Sequence, residues 1–206
     1  MKLSHTTLIE NIPRNIRTKM LKANIFYSLA YEKYIYEDGD IPVYIYDEKF
    51  VLLFKIHKIY MFKTAILPSE PICLTEYNCD YTDFLNKAIL ILNKHYKVEW
   101  ISPNLATSLF SYVPSNSINI PFGSHVINLN EAEENIWSNI HSKHKNSIRN
   151  AEKNNIRIVF GGMELLDDYI KLDCQTWERS NKRGFQSSFY EKYLLNLNNN
   201  CIIAIA

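Results

Sequence analysis

Glycine is scarce. The 206 residues hold five, Gly39, Gly123, Gly161, Gly162 and Gly184, and none stands in a Gly-x-Gly spacing. A phosphate cradle of bare backbone N–H groups therefore has no obvious seat in this chain. The four cysteines, Cys73, Cys79, Cys174 and Cys201, form no Cys-x-x-Cys pair and no His/Cys group at metal-ligand spacing. They read as reduced thiols, without a disulfide framework or a metal centre. Long apolar runs are also missing: Ala88 to Leu92 is the longest purely aliphatic stretch, far too short to span a bilayer. The start, Met1-Lys2-Leu3-Ser4-His5-Thr6, opens no apolar leader segment. Net charge is only +1, so the molecule as a whole is no electrostatic trap for nucleic acid or membrane. No Gly-x-Ser-x-Gly elbow and no catalytic cysteine motif occurs. These absences describe a soluble, cytoplasmic protein.

What is present is an ordinary globular composition, 47% apolar and 22% charged, with 14 Tyr and 10 Phe to populate strands and line clefts. Residues 15–36 read as one helix carrying Ile16, Met20, Ala23, Phe26, Leu29 and Ala30, closed by Gly39. Partial alternation then places Val43 and Ile45, Phe50 to Ile56, and Ile59 to Lys63 in a three-stranded antiparallel meander, with changeovers at Asp47-Glu48 and His57-Lys58. Pro68 and Pro71 end it. Asp80 caps a helix burying Phe84, Leu85, Ala88, Ile89 and Leu92 and stopping near His95. Residues 97–101 read as a strand, 104–112 as a short helix, and 113–120 and 124–129 as strands.

From Leu129 the texture becomes helix–strand–helix–strand. The longest expected helix is 131–154, with Trp137, Ile140, His144, Ile148 and Ala151 on one apolar stripe. Asn154-Asn155 ends it, residues 156–160 form a strand stopped by Gly161-Gly162, and helices follow at 164–181 and 187–198. Cys201 to Ala206 is a strand pattern. The expected class is α+β, with residues 1–128 as a first lobe and 129–206 as the incomplete start of a second.

Chemistry concentrates in the helix at 131–154. Lys145, Arg149 and Lys153 recur at i, i+4 and i+8, with Lys143 beside them, giving a basic stripe opposite the apolar one. The plain alternative is a solvated face whose cations suit the helix C-terminus. His141 and His144, three apart, lack a third ligand, and His144 is expected to be a core histidine. Asp167-Asp168 suits a helix start.

The pattern W-x-x-I-x-x-K-H-x-x-S-I-R-x-A-x-K-x-x-I-x-I over 137–158, followed by L-L-D-D-Y-x-x-L, T-W-E-R and Y-x-x-Y-L, resembles the FemABX aminoacyltransferases and their acyl-CoA-using GNAT relatives. The resemblance covers about residues 124–206, on Lys143, Ser147, Ile148, Arg149, Ala151 and Lys153, then Arg179 and Tyr190. It implies GNAT-like lobes, each a mixed, largely antiparallel sheet with flanking helices, and an acceptor cleft between them. It further implies transfer of an acyl group from acyl-CoA or aminoacyl-tRNA, as co-substrate and not as a tightly bound cofactor, to an amine such as that of a cell-wall precursor. Lys143, Arg149, Lys153, Arg179, Arg183 and Tyr190 are the expected substrate-binding residues. No catalytic residue and no metal ligand is assigned. The GNAT donor loop, rich in glycine, has no counterpart among the five glycines, which implies a C-terminally truncated chain, inactive by itself. The alternative is a non-catalytic module whose helix at 141–153 binds an anionic partner such as tRNA; neither reading involves DNA or a transmembrane segment.

Overall fold

The alternation between residues 41 and 67 does build the sheet that organises the first part of the chain. The computed structural model describes residues 3–75, 80–104, 110–118, 123, 127–182 and 184–206. Strand β1 (Ser4–Thr6) is followed by helices α1 (Arg14–Ala23) and α2 (Leu29–Glu37), then by β2 (Ile41–Tyr46), β3 (Phe50–Ile59), β4 (Phe62–Leu67) and β5 (Ile72–Cys73). Helix α3 (Thr82–Ile91) and strand β6 (Trp100–Pro103) complete this part. The sheet order is β1-β2-β3-β4-β6, with β5 also paired to β3. All pairings are antiparallel except β4 with β6, so the sheet is mixed and largely antiparallel, as expected.

Local chemistry sets the turns. Asp47 Oδ1 accepts from the backbone N–H groups of Lys49 (2.7 Å) and Phe50 (2.8 Å), a side-chain turn that joins β2 to β3. The second changeover lies later than His57-Lys58: both residues stay in β3, opposite Thr64 and Lys63, and the chain reverses at Tyr60-Met61 with Tyr60 at φ 53°. The single helix expected over 15–36 is two. Asn24 and Ser28 adopt extended backbone and turn their side chains into caps, Asn24 accepting from Phe26 N and Ser28 from Tyr31 N. Short polar side chains compete with helical bonding in this way, and apolar periodicity alone does not register it.

One face of the sheet carries Val43, Ile45, Leu52, Phe54, Ile56, Ala65 and Leu67, which pack with Phe84, Leu85, Ala88 and Leu92. Full burial of each larger side chain contributes roughly 1.5–3 kcal/mol. The cap expected at Asp80 falls one residue later: Tyr81 is the N-cap of α3 and makes no side-chain cap bond, while the Asp80 carboxylate, just outside the helix, accepts from Thr82 N at 2.8 Å. Beyond α3 the chain makes a π turn, Leu92–Tyr96, ended by Lys97 in the left-handed region. The opposite sheet face carries Tyr44, Val51 and Leu53, all fully buried, and Leu53 N donates to Tyr27 Oη.

Residues 104 and 110–112 are not helical and residues 113–118 and 127–129 form no strand; residues 105–109 of the helix expected at 104–112, and 119–120 and 124–126 of the strands expected at 113–120 and 124–129, lie outside the described residues. Next in order come α4 (Glu133–Asn139), α5 (Ser142–Lys153), β7 (Val159–Gly161), α6 (Leu166–Arg179), α7 (Ser187–Leu197) and β8 (Ile203–Ile205). The long helix expected over 131–154 is therefore also split. Ile140 and His141 are extended, and the His141 ring accepts from Lys143 N to start α5. β7 and β8 pair antiparallel, Val159 opposite Ile205.

The chain divides into two compact units, residues 1–122 with 188–200 and residues 123–187 with 201–206. Helix α7 is grouped with the N-terminal elements, although in sequence it falls within the segment expected as the second lobe. Among the described residues no helix is long and apolar enough to cross a membrane.

Candidate functional site

Helix α5 carries the basic stripe, and no residue of it is buried. The break at Ile140-His141 changes where Trp137 lies. On one continuous helix it would share the apolar stripe, but on α4 it meets the cations. Lys145 Nζ stands 5.9 Å and the Arg149 guanidinium carbon 6.0 Å from the Trp137 ring centroid. Each such contact is worth about 0.5–1 kcal/mol at an exposed site. Lys145 Nζ also donates to Ser138 O at 2.9 Å, closing the corner between α4 and α5. Lys143, Arg149 and Lys153 are exposed and make no ion pair with a described residue.

The other expected binding residues are placed as follows. Arg179 closes α6, donating through Nε to Gln175 O (3.3 Å) and through Nη2 to Thr176 Oγ1 (3.2 Å). Tyr190, half-buried on α7, sits edge-on to Phe189 and belongs to the other unit. Arg183 lies outside the described residues. His144 is exposed and not a core histidine, because α5 has no buried side. Its ring lies 6.4 Å from that of His141, and among the described residues no group of three His, Cys, Asp or Glu could hold a metal ion. Asp167 and Asp168 do fall in the first turn of α6. At Gly161-Gly162 the backbone N–H of Gly162 is taken by Glu164 Oε1 at 2.9 Å. That bond and one from Glu164's own N–H hold its carboxyl below the usual value. A carboxylate thus occupies the donor a phosphate would need.

The first unit contains a charged cluster that sequence reasoning did not single out. Asp38 and Asp40 flank Gly39, which takes φ 84° to end α2 and enter β2. Lys55, only 14% exposed, donates to Asp38 Oδ2 (2.6 Å) and pairs with Asp40 Oδ2 (3.0 Å). His57 Nδ1 bonds Asp40 Oδ1, and the Asp40 side chain is 2% exposed. Lys55 Nζ lies 5.0 Å from the Tyr34 ring centroid, and Tyr34 is edge-on to Phe189 and Tyr193 of α7. Burial draws the Lys55 pKa down, but its bonds to Asp38 and Asp40 outweigh this and leave it above the ordinary lysine value. Burial first, then Asp38, pushes the Tyr34 hydroxyl up. The available signal was the alternation along β3. Lys55 and His57 share the parity of Val51 and Leu53, so charges stand on a face that is otherwise covered.

A third titratable group lies at the sheet edge. His5 Nδ1 is 2.9 Å from Tyr96 Oη, and the His5 and His95 rings are 4.8 Å apart. Burial, then His95, lowers the His5 pKa.

Residues 114–206 match the family model described as the FemAB family. This C-terminal part of the chain is thus FemAB-like, over the same stretch that carries the motif at 137–158. No curated protein and no solved structure matches the chain.

Proposed function

We propose that the chain forms the acceptor-side part of an N-acyl or aminoacyl transferase, with the exposed cations of α5 receiving a phosphate-bearing ligand. One observation carries this reading: the segment matching the FemAB family contains a helix whose Lys143, Arg149 and Lys153 are unmatched by any described carboxylate. The co-substrates of such a transfer, acyl-CoA or aminoacyl-tRNA, and a nucleotide-linked cell-wall acceptor all bear phosphates. Guanidinium and ammonium groups neutralise these and fix their position. In the reaction a free amine attacks the activated carbonyl, a C–N bond forms, and the bond to the carrier breaks. Rate then comes from positioning the two reactants and from donors directed at the developing oxyanion. The Gly162 N–H is already engaged by Glu164, so the Gly161-Gly162 pair is no open phosphate cradle.

A second reading keeps the binding and drops the transfer. The observation favouring it is Trp137, which stands with Lys145 and Arg149 and adds an aromatic ring to the basic surface, as RNA-binding surfaces often have.

The test uses the intact chain with Arg149→Ala and Lys153→Ala combined, titrated with CoA and with uncharged tRNA at several KCl concentrations. Loss of two phosphate contacts should reduce the salt slope by about 1.4 for a single-stranded contact, and weaken binding throughout the range. Unchanged affinity would return the stripe to a solvated surface. Binding of tRNA without CoA, and no transfer to an amine even when a donor lobe is supplied, would favour the second reading.

A further inference from the structure

The sheet of the first unit presents a second chemistry, on the face shared by Lys55 and His57. Paired residues on neighbouring strands share a face, so the pairings His57 with Thr64 and Thr64 with Trp100 place all three together. Strands lie about 4.8 Å apart, which puts the Trp100 backbone roughly 10 Å from that of His57, with Thr64 between them. Phe62 and Ile66 of β4 have the parity of Thr64 and lie on the same face. Trp100 is 65% exposed and Phe62 56% exposed, and the His57 side chain is 48% exposed. Aromatic rings thus stand open beside a half-exposed imidazole.

The imidazole is held from behind. Asp40 is buried, and its second oxygen is taken by Lys55, so the carboxylate has little freedom to move. With Nδ1 donating to Asp40, the neutral ring carries its proton there and presents a lone pair at Nε2. No described residue occupies Nε2. A lone pair held in place by a buried carboxylate behind the ring accepts a hydrogen bond from an incoming N–H donor. The nearby cations do not favour an anion instead: Lys55 is engaged by Asp38 and Asp40, and Lys192 stands 3.9 Å from Asp38. Lys58 and Lys63 have the opposite parity and share the face of Ile56 and Ala65.

We infer that His57, oriented by Asp40 and sharing its sheet face with Trp100 and Phe62, forms a recognition site for a primary ammonium group, whose N–H donates to Nε2. The indole and phenyl faces attract the cation. The recognition does not rest on the transferase reading.

The experiment is NMR on the intact chain with labelled histidine and tryptophan side chains. In the free protein the His57 ring should show the Nδ1–H tautomer, and Asp40→Asn should abolish that preference. Nα-acetyl-lysine methylamide should shift the His57 Nε2 and Trp100 indole signals saturably. Nα-acetyl-norleucine methylamide, which lacks the ammonium, should bind at least about ten-fold more weakly. His57→Gln and Trp100→Ala, at half-exposed and exposed positions, should each weaken the lysine analogue several-fold while the rest of the spectrum is preserved. Equal binding of the two analogues, or unchanged affinity in both variants, would overturn the inference. Failure here with phosphate binding by α5 intact would leave the transferase reading standing. Amine recognition with no ligand on α5 would do the reverse.

Discussion

The two units handle charge and apolar surface in opposite ways. In the first, Lys55 is matched by Asp38 and Asp40 under cover of Tyr34, and all ion pairs between described residues lie there. A continuous core runs from Val43 to Val98. In the second, Lys143, Arg149 and Lys153 of α5 are exposed and make no ion pair with a described residue, and among the described residues only Leu166 and Ile203 are buried apolar side chains. Ile158, Phe160 and Ile202 remain exposed there. Matched, covered charge fixes a fold, whereas unmatched, exposed charge remains available to a ligand. Buried apolar surface is thus concentrated in one unit and unmatched charge in the other.

The largest effect should come from the core that makes this contrast. Phe54→Ala removes a side chain only 1% exposed and should destabilise the first unit by about 3–5 kcal/mol, read from urea unfolding followed by hydrogen exchange at β2 and β3. The matching truncation in the second unit, Leu166→Ala, should fall at the low end of its class, about 2 kcal/mol, because few buried neighbours surround it. Equal costs would break the comparison.

A smaller effect is expected at Glu32, a buried carboxylate that accepts from the backbone of Ile9 at 2.7 Å. Glu32→Ala strands that buried N–H and should cost about 1–3 kcal/mol, with faster exchange at Ile9 and little change in α5. A cost near zero would mean that the first unit does not depend on its buried charges. The smallest effect concerns His5. Its folded pKa is lowered, so the ring is neutral in the fold, and its contribution is present above the ordinary histidine value of 6.5. That contribution fades as pH falls through the folded value. Between pH 7 and pH 5 the protection factors of the β1 amides should fall, and His5→Gln should flatten that change.

Much of this was legible before any coordinates. The meander and the helices at 164–181 and 187–198 followed from alternation and helical period, each a property of a few neighbouring residues. The two misread helices share one cause. Asn24, Ser28 and His141 each divert a short polar side chain to a backbone N–H two or three residues on, breaking helices whose apolar spacing continues across the gap. Trp137 was consequently placed on the wrong side of its own helix.

By itself the sequence determined the α+β class, the β2–β4 meander, the basic spacing of Lys145, Arg149 and Lys153, and the FemABX resemblance of the second part. These are local or motif-scale properties, set by period and residue type. Only the tertiary structure decided that Asp40, Lys55 and His57 form one cluster, that Trp137 stands with the cations, and that α7 packs with the N-terminal elements. Such pairings join residues far apart in the chain or across a corner. Their energies depend on what excludes water from them, which a spacing does not specify.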